Sequence, residues 1–239
     1  MSGIIIFFSF KLPSRQLFLL LTLFIGALLF TWHQVLPPRH VPVQAVLPLT
    51  GLIIAVDPGH GGYDPGSTSN GVLEKDVVLG IALYLRDYLQ QGGARVILTR
   101  EEDKDFLETT AGPKKRLDFS NRLQIVEDAA ADLLISLHAN CIASPRWRGS
   151  QVFYQKGCDE GQGLAECIQL ELSRVLENTD RLAQSGNYYL LRESSMCGVV
   201  VEVGFLSNPQ EAALLQKADY QKKVAWAIYL GIVAYFSTI

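Results

Sequence analysis

The sequence has few cysteines and no cysteine motif. Its 239 residues contain four, Cys141, Cys158, Cys167 and Cys197, and no two of them form a C-x-x-C pair. This spacing argues against a cysteine zinc site and a thioredoxin-type redox motif. Outside the cytoplasm the four thiols could form two disulfides, but the favoured reading is that of small buried hydrophobic side chains.

Acidic residues are missing from the first fifty positions, which carry only Lys11, Arg15 and Arg39 as charged groups. Subtracting these three positive charges from the net charge of −3 leaves −6 for residues 51–239. Nucleic-acid binding depends on neutralising phosphates, so we expect no nucleic-acid partner. Hydrophobic residues make up 49% of the chain, which is enough for a packed core and argues against disorder.

One long apolar run occupies residues 17–32 and contains no charged residue. With Val35 and Leu36 it approaches the roughly 20 residues that a membrane-spanning helix needs. Basic residues before the run and prolines after it predict an amino end inside the cell and an exported domain. We therefore expect an N-terminal membrane anchor at residues 1–36, a stiff linker at 37–50 and one folded domain at 51–239.

A cleaved signal peptide is the alternative reading of this segment. Val43, Gln44 and Ala45 form an acceptable small-residue cleavage site, and cleavage there would release a secreted domain. The apolar run is long for a signal, and Ala45 is distant from it. Both readings place the domain outside the cytoplasm.

Short apolar runs alternate with amphipathic helical stretches in the exported part. The apolar runs are predicted as strands at residues 52–56, 94–98, 133–137, 151–154 and 199–203. Helices are predicted at residues 74–91, 163–177 and 222–236. A further helix is predicted from the apolar face formed by Phe119, Leu123, Val126 and Ala130, and a short one is predicted to begin at Pro209. This alternation predicts a single α/β domain with a twisted, mostly parallel central sheet flanked by helices.

Polar side chains follow or interrupt three of the predicted strands. His60 follows the first in DPGHGG, His138 follows the third in DLLISLHAN, and Glu202 lies inside VVVEVGF. Sites in open α/β sheets form at the carboxyl ends of strands, so these side chains are expected to meet. A buried arginine could instead neutralise Glu202, and each histidine taken alone could be structural. A phosphate-binding loop is disfavoured, because DPGHGGYDPGS lacks the G-K-[S/T] ending.

A zinc ion explains two histidines and a buried carboxylate in one place. Catalytic zinc keeps three protein ligands and leaves a position for water, and Glu74 at the start of the first helix of the domain is the available third ligand. Taken alone, Glu74 could be a first-turn acid that stabilises the helix dipole. With His60, Glu74 and His138 on zinc, Glu202 remains to take a proton from water and return it to a leaving amine.

These motifs, in this order, resemble the zinc-dependent N-acetylmuramoyl-L-alanine amidases, the type-3 amidases of bacterial cell walls. The resemblance runs from about Leu52 to Phe236 and rests on DPGHGGYDPG, GVLEKDV, LTR, NRLQIVEDAAADLLISLHAN and VVVEVGFLSNPQE. It implies that His60, Glu74 and His138 bind one Zn²⁺ per chain and that Glu202 is catalytic. It also implies a peptidoglycan substrate, cut between the lactyl group of muramic acid and L-alanine of the stem peptide.

A lone catalytic domain behind a membrane segment resembles the spore-cortex and germination-associated subgroup, which prepares cortex for muramic-δ-lactam formation. A zinc peptidase that cuts within the stem peptide and a non-catalytic wall-binding module on the same fold remain alternatives. A protein activator is compatible with the sequence but is not encoded in any motif.

Four further residues are expected to support the site or contact substrate. Asp57 ends the first strand and is predicted to hold the second imidazole nitrogen of His60. Arg100 follows a strand and Arg122 lies in a helix, where each could support the site or form an ordinary salt bridge. Asn140 is expected to hydrogen-bond a loop near the zinc.

Overall fold

The computed structural model describes residues 13–35, 47–107 and 114–238, with the backbone alone for residues 32–35. It divides into two compact units, Met1–Ala45 and Val46–Ile239. The first contains helix α1 (Ser14–Val35). Its segment Ser14–Thr31 has a mean hydropathy of 1.7, and within the described ranges it alone is long and apolar enough to cross a membrane. Residues 37–46 of the predicted linker, with the candidate cleavage site after Ala45, lie outside the described residues.

The second unit alternates strands and helices as the sequence predicts. Its elements are β1 (Ile53–Pro58), β2 (Thr68–Ser69), β3 (Val72–Leu73), α2 (Glu74–Gln91), β4 (Arg95–Leu98), α3 (Lys114–Asp128), β5 (Leu133–Asn140), β6 (Gln151–Tyr154), α4 (Asp159–Leu176), β7 (Gln184–Ser185), α5 (Tyr189–Glu193), β8 (Cys197–Phe205), α6 (Pro209–Leu215) and α7 (Ala218–Thr238).

Six strands form one sheet in the order β4-β1-β5-β8-β6-β7, and β2 pairs with β3 in a small hairpin. Strand β1 is parallel to β4 and β5, and β5 is parallel to β8. Among the described pairs of the six-stranded sheet, β6 and β7 are parallel, and only β6 and β8 are antiparallel. The α/β prediction with a mostly parallel central sheet is therefore confirmed.

Helices cover both faces of this sheet. The larger core lies under α2, α4 and α7, and a smaller one lies on the other face, where α3 and α5 pack. Because both faces are covered, the central strands are buried along nearly their whole length; in β1 the residues from Ile54 to Pro58 are all buried. Continuous burial of this kind is what parallel strands require and explains the unbroken apolar runs in the sequence.

The structure corrects several details of the predicted elements. Helix α3 ends at Asp128, and Ala130 lies beyond it with a positive φ of 49°. Strand β5 extends to Asn140, so His138 lies inside the strand and not after it. The two-residue strands and the five-residue helix α5 were not predicted, because elements of that length have no readable periodicity.

The four cysteines are unpaired in the structure. Cys158, Cys167 and Cys197 are half-buried, and Cys141 is exposed. The prediction of buried hydrophobic side chains is therefore wrong for Cys141, and the other three are only partly buried.

Candidate metal centre

The candidate centre lies at the carboxyl ends of β1, β5 and β8. His60 follows β1 in a turn and has a positive φ of 63°, Glu74 is the first residue of α2, and His138 lies near the end of β5. One potential ligand atom from each of these three residues lies within 4.8 Å of the other two. The structure thus brings together the three residues that the sequence selects.

Two glycines make room for this arrangement. A Cβ atom on Gly59 would collide with the imidazole ring of His138. A Cβ atom on Gly66 would lie 2.7 Å from Cδ2 of His60 and 2.8 Å from Oε2 of Glu74. The φ of Gly66 is +69°, in the left-handed region that favours glycine. The glycine-rich turn therefore serves close packing of imidazole and carboxylate groups.

Glu74 is the common partner of the two histidines. Its Oε1 lies 3.1 Å from Nε2 of His60 and 3.0 Å from Nδ1 of His138. The backbone N–H of Ala139 also donates to Oε1 at 3.0 Å, and that of Ser67 donates to Oε2 at 2.8 Å. Burial opposes ionisation, but hydrogen bonds from His138 and His60 hold the pKa of Glu74 well below its usual range.

The donor chemistry of these residues fits zinc. Two imidazole nitrogens and one carboxylate oxygen are a set that catalytic zinc sites use. Amide donors orient the Glu74 carboxylate, and two of the three candidate ligands lie on regular elements that fix their positions.

Asp64 holds the remaining nitrogen of His60. Its Oδ2 lies 2.9 Å from His60 Nδ1, and its Oδ1 accepts the backbone N–H of Gly66 at 3.0 Å. A carboxylate in this position fixes the orientation of a metal-binding imidazole. The sequence prediction gave this role to Asp57 and is wrong, because the Asp57 carboxylate accepts hydrogen bonds from Thr99, Arg122 and Ser136 instead.

Asp57 is buried in a polar network beneath the turn. Its Oδ1 accepts from Thr99 Oγ1 at 2.7 Å and from Arg122 Nη1 at 2.9 Å, and its Oδ2 accepts from Ser136 Oγ at 2.9 Å. Burial raises the pKa of Asp57, but the charge of Arg122 and these hydrogen bonds outweigh it and leave the pKa lowered. The network joins β1, β5 and α3 below the candidate centre.

Arg122 connects this network to the backbone of the turn. Besides Asp57, it donates from Nε to Asp118 Oδ2 at 2.7 Å, from Nη1 to the carbonyl of Pro58 at 3.0 Å, and from Nη2 to the carbonyl of His60. Its side chain is 1% exposed. Arg122 therefore forms salt bridges and also holds the backbone of the turn that carries His60.

Arg100 also supports the turn, and its hydrogen bonds within the described residues all go to carbonyl groups. It donates to the carbonyl oxygens of Pro58, Gly59, Lys75 and Glu102 at 2.8–3.2 Å. It is 1% exposed, and burial lowers the pKa of Arg100 to about 10. Both arginines are thus occupied below the surface and are not placed to contact substrate.

Glu202 lies beside His138 on the neighbouring strand β8, in direct register with it. The residue is partly exposed, but its Oε2 is inaccessible to solvent and has no hydrogen-bond partner among the described residues. Burial, with a further contribution from the Glu74 charge, raises the pKa of Glu202 to about 7, although the two histidines oppose the shift. A buried carboxylate oxygen without a hydrogen-bond partner is uncommon in native proteins, so Glu202 is a candidate functional residue.

A cavity of about 100 Å³ adjoins Glu202. Its lining includes His138 and Glu202 and the aromatic side chains of Phe119, Tyr188 and Tyr189. Burial, and the charge of Glu202, raise the pKa of Tyr188 above its ordinary value. No sequence motif indicates Tyr188, whereas Asp64 could have been found from its i+4 spacing to His60 within DPGHGGYDPG.

Asn140 joins the ends of β5 and β8 through its backbone. Its carbonyl accepts from the N–H of Leu206 at 2.8 Å, while its side chain makes no hydrogen bond within the described ranges. Asn208, in contrast, uses its side chain to cap α6 and to donate to the carbonyl of Pro145 at 2.9 Å. The loop contact expected of the Asn140 side chain is therefore made by Asn208.

Comparison with known proteins gives a family match over the whole sheet region. A model of the N-acetylmuramoyl-L-alanine amidase family matches residues 54–234. Over 195 residues the chain is 48% identical to the germination-specific N-acetylmuramoyl-L-alanine amidase of Bacillus subtilis, which covers 80% of this chain and 82% of that protein.

Solved structures agree with this match. The CwlD amidase from Clostridioides difficile, in complex with the GerS lipoprotein, has a TM-score of 0.76 and 37% identity and covers 79% of this chain and 100% of its own. The amidase AmiC2 of Nostoc punctiforme has a TM-score of 0.69 and 33% identity, covering 79% of this chain and 99% of its own.

Proposed function

The chain belongs to the N-acetylmuramoyl-L-alanine amidase family. We propose that its amidase reaction uses one zinc ion held by His60, Glu74 and His138. We also propose that Glu202 is the catalytic carboxylate. The amide bond between the lactyl group of N-acetylmuramic acid and L-alanine is hydrolysed in peptidoglycan. When bound, zinc would supply Lewis-acid chemistry that lowers the pKa of a water molecule to about 7.

Glu202 would move the protons of the reaction. Its carboxylate takes a proton from the attacking water, whose oxygen forms the new bond to the lactyl carbonyl carbon. As the C–N bond breaks, the same carboxyl group returns the proton to the nitrogen of L-alanine. Burial raises the pKa of Glu202 above its ordinary value in the metal-free domain, and a raised pKa favours a carboxyl group that both accepts and returns a proton.

The observation that carries this proposal is the register between β5 and β8. It aligns Glu202 with His138 on adjacent strands, with Glu202 Oε2 left without a protein partner in the described residues. A carboxylate that lies beside the His-Glu-His group without being counted in it supports a role for Glu202 in proton transfer.

Digestion of purified peptidoglycan tests the proposal. The domain from Val46 onward, which is a compact unit, is assayed with and without a chelator and then with added zinc. We expect new amino-terminal L-alanine and free lactyl groups, loss of both products with chelator, and recovery with zinc. Cuts only within the stem peptide would favour the zinc peptidase alternative, and a zinc-free fold without turnover would favour the wall-binding module.

We propose in addition that the enzyme acts in the spore cortex. The support is its likeness to the germination-specific amidase of Bacillus subtilis and to the CwlD amidase. The test is complementation of a Bacillus subtilis strain that lacks its own germination-specific amidase, with muramic-δ-lactam measured in the spores. We expect wild-type protein to restore the lactam and a Glu202→Gln control to leave it absent.

A membrane anchor and an activating partner complete the proposal. Helix α1 is long and apolar enough to hold the domain on the extracytoplasmic side of a membrane. Extraction at alkaline pH should leave the full chain in the membrane fraction, whereas a cleaved signal would release it.

The Clostridioides difficile protein was solved with a lipoprotein, so we expect a lipoprotein partner that raises turnover of the isolated domain.

A further inference from the structure

The second half of α7 is unusual for a surface helix. From Val224 to Ile239 the chain has no charged residue, although Asp219, Lys222 and Lys223 precede this stretch. One side of the helix is buried against the core, but Trp226 is 41% exposed on another side. Surface helices ordinarily place polar residues on the side away from the core.

Trp226 is the exposed member of a cluster of aromatic rings whose other members, Tyr88 and Tyr229, are half-buried. Its ring centroid lies 5.2 Å from that of Tyr88 on α2 and 5.2 Å from that of Tyr229, the next turn of α7. Tyr88 is in the last turn of α2, roughly 21 Å along the helix axis from Glu74 at 1.5 Å per residue. The cluster therefore lies toward the edge of the domain opposite the metal centre.

The polypeptide enters the domain beside this cluster. The N–H of Leu49 donates to the carbonyl of Gly92 at 2.9 Å, and a Cβ atom on Gly92 would lie 2.9 Å from Cε2 of Tyr229. Leu47, two residues earlier, is 47% exposed. In the sequence, residues 36–46 lie between this point and the last residue of α1.

We propose that one face of the domain contacts the headgroup region of the membrane that holds α1. This face, named the aromatic face, consists of Leu47, Tyr88, Trp226 and Tyr229. The inference rests on the membrane anchor of the proposed function. Tryptophan and tyrosine are the residues enriched at membrane–water interfaces, because each has an apolar ring and a polar group. Contact at this face directs the metal centre away from the lipid and toward the peptidoglycan.

Tryptophan fluorescence of the full chain tests the contact. The sequence has three tryptophans, Trp32, Trp147 and Trp226, and Trp147 lies in the loop after β5, on the side of the metal centre. The variant with Trp32→Phe and Trp147→Phe retains Trp226 as its single tryptophan. The matched control, with Trp32→Phe and Trp226→Phe, retains Trp147 as its single tryptophan. Both are reconstituted in vesicles of phosphatidylethanolamine and phosphatidylglycerol, with and without lipids brominated near the headgroup end of the acyl chain.

We expect brominated lipid to reduce Trp226 emission about twofold and to leave Trp147 emission unchanged. Vesicles that float with the protein but quench neither tryptophan would overturn the contact while leaving the anchor in place. Protection of Trp226 from aqueous iodide without lipid quenching would also overturn it, since a protein partner would then cover the face. A chain that does not float with vesicles would overturn both the anchor and the contact.

Discussion

Asp64 lies 2.9 Å from Nδ1 of His60, the ring nitrogen that faces away from Glu74. This contact fixes the tautomer in which Nε2 is free to bind a metal, and its loss typically lowers metal affinity about 10–100-fold. We expect Asp64→Ala to weaken zinc binding by this factor, measured by competition with a fluorescent chelator.

Asp103→Ala is the matched control for that measurement. Asp103 accepts the N–H of Gly62 at 2.7 Å and so supports the same turn, but it does not touch His60. An equal loss of affinity in both variants would show that turn stability, and not the imidazole contact, controls the metal site.

Replacement of Glu202 by glutamine separates metal binding from catalysis. Glu202 is outside the His-Glu-His group, so we expect Glu202→Gln to retain zinc in a metal analysis. Loss of the proton carrier should lower kcat about 10²–10⁴-fold, the usual contribution of general acid–base catalysis. Undiminished release of stem peptides would falsify the role assigned to Glu202.

The candidate centre follows from the sequence because parallel strands share one carboxyl edge. His138 and Glu202 lie on adjacent strands, and His60 leaves a third strand at the same edge, so three positions in the chain become neighbours once the sheet is predicted. Glu74 is fixed by the start of α2, which its acidic first turn marks in the sequence.

The supporting residues were harder to predict because a turn has no periodicity. Asp57 and Asp64 both lie close to His60 in sequence, and only the path of the backbone decides which one reaches Nδ1. In the part of the chain that the structure describes, Arg100 donates to carbonyl groups, which every residue has, so its partners leave no pattern in the sequence. Their roles depend on tertiary structure.

Arg122 is expected to contribute strongly to stability. It is buried between Asp57 and Asp118, and removing it would leave two carboxylates in a buried position without their cation. Breaking a buried ion pair in this way costs about 3–5 kcal/mol. We expect Arg122→Met to lower the free energy of unfolding in urea by that amount, while Arg174→Met, which removes an exposed arginine, should change it little. A small change in the free energy of unfolding for Arg122→Met would contradict the stabilising role of this network.

Acid should destabilise the metal-free domain partly through Asp57. Its pKa is lowered from the ordinary value of 3.8, so its stabilising contribution is fully present above that value and is lost as pH falls through the folded-state pKa. Urea unfolding at a series of pH values from 7 to below 4 should therefore show a smaller acid loss in Asp57→Asn than in wild type. Parallel curves would exclude a contribution from Asp57.

Two helical glycines should respond to alanine in opposite directions, because α4 and α7 approach closely at only one of them. A Cβ atom on Gly231 of α7 would collide with the backbone of Ile168 on α4, whereas a Cβ atom on Gly163 of α4 would reach no atom closer than Cε2 of Tyr235 at 3.4 Å. Overpacking against a backbone costs about 1–3 kcal/mol, so Gly231→Ala should lower the free energy of unfolding. Gly163→Ala should raise it by about 0.5–1 kcal/mol, because alanine loses less conformational entropy in a helix. Urea denaturation of both variants checks the pair, and stabilisation by Gly231→Ala would mean that α4 and α7 are further apart than the structure has them.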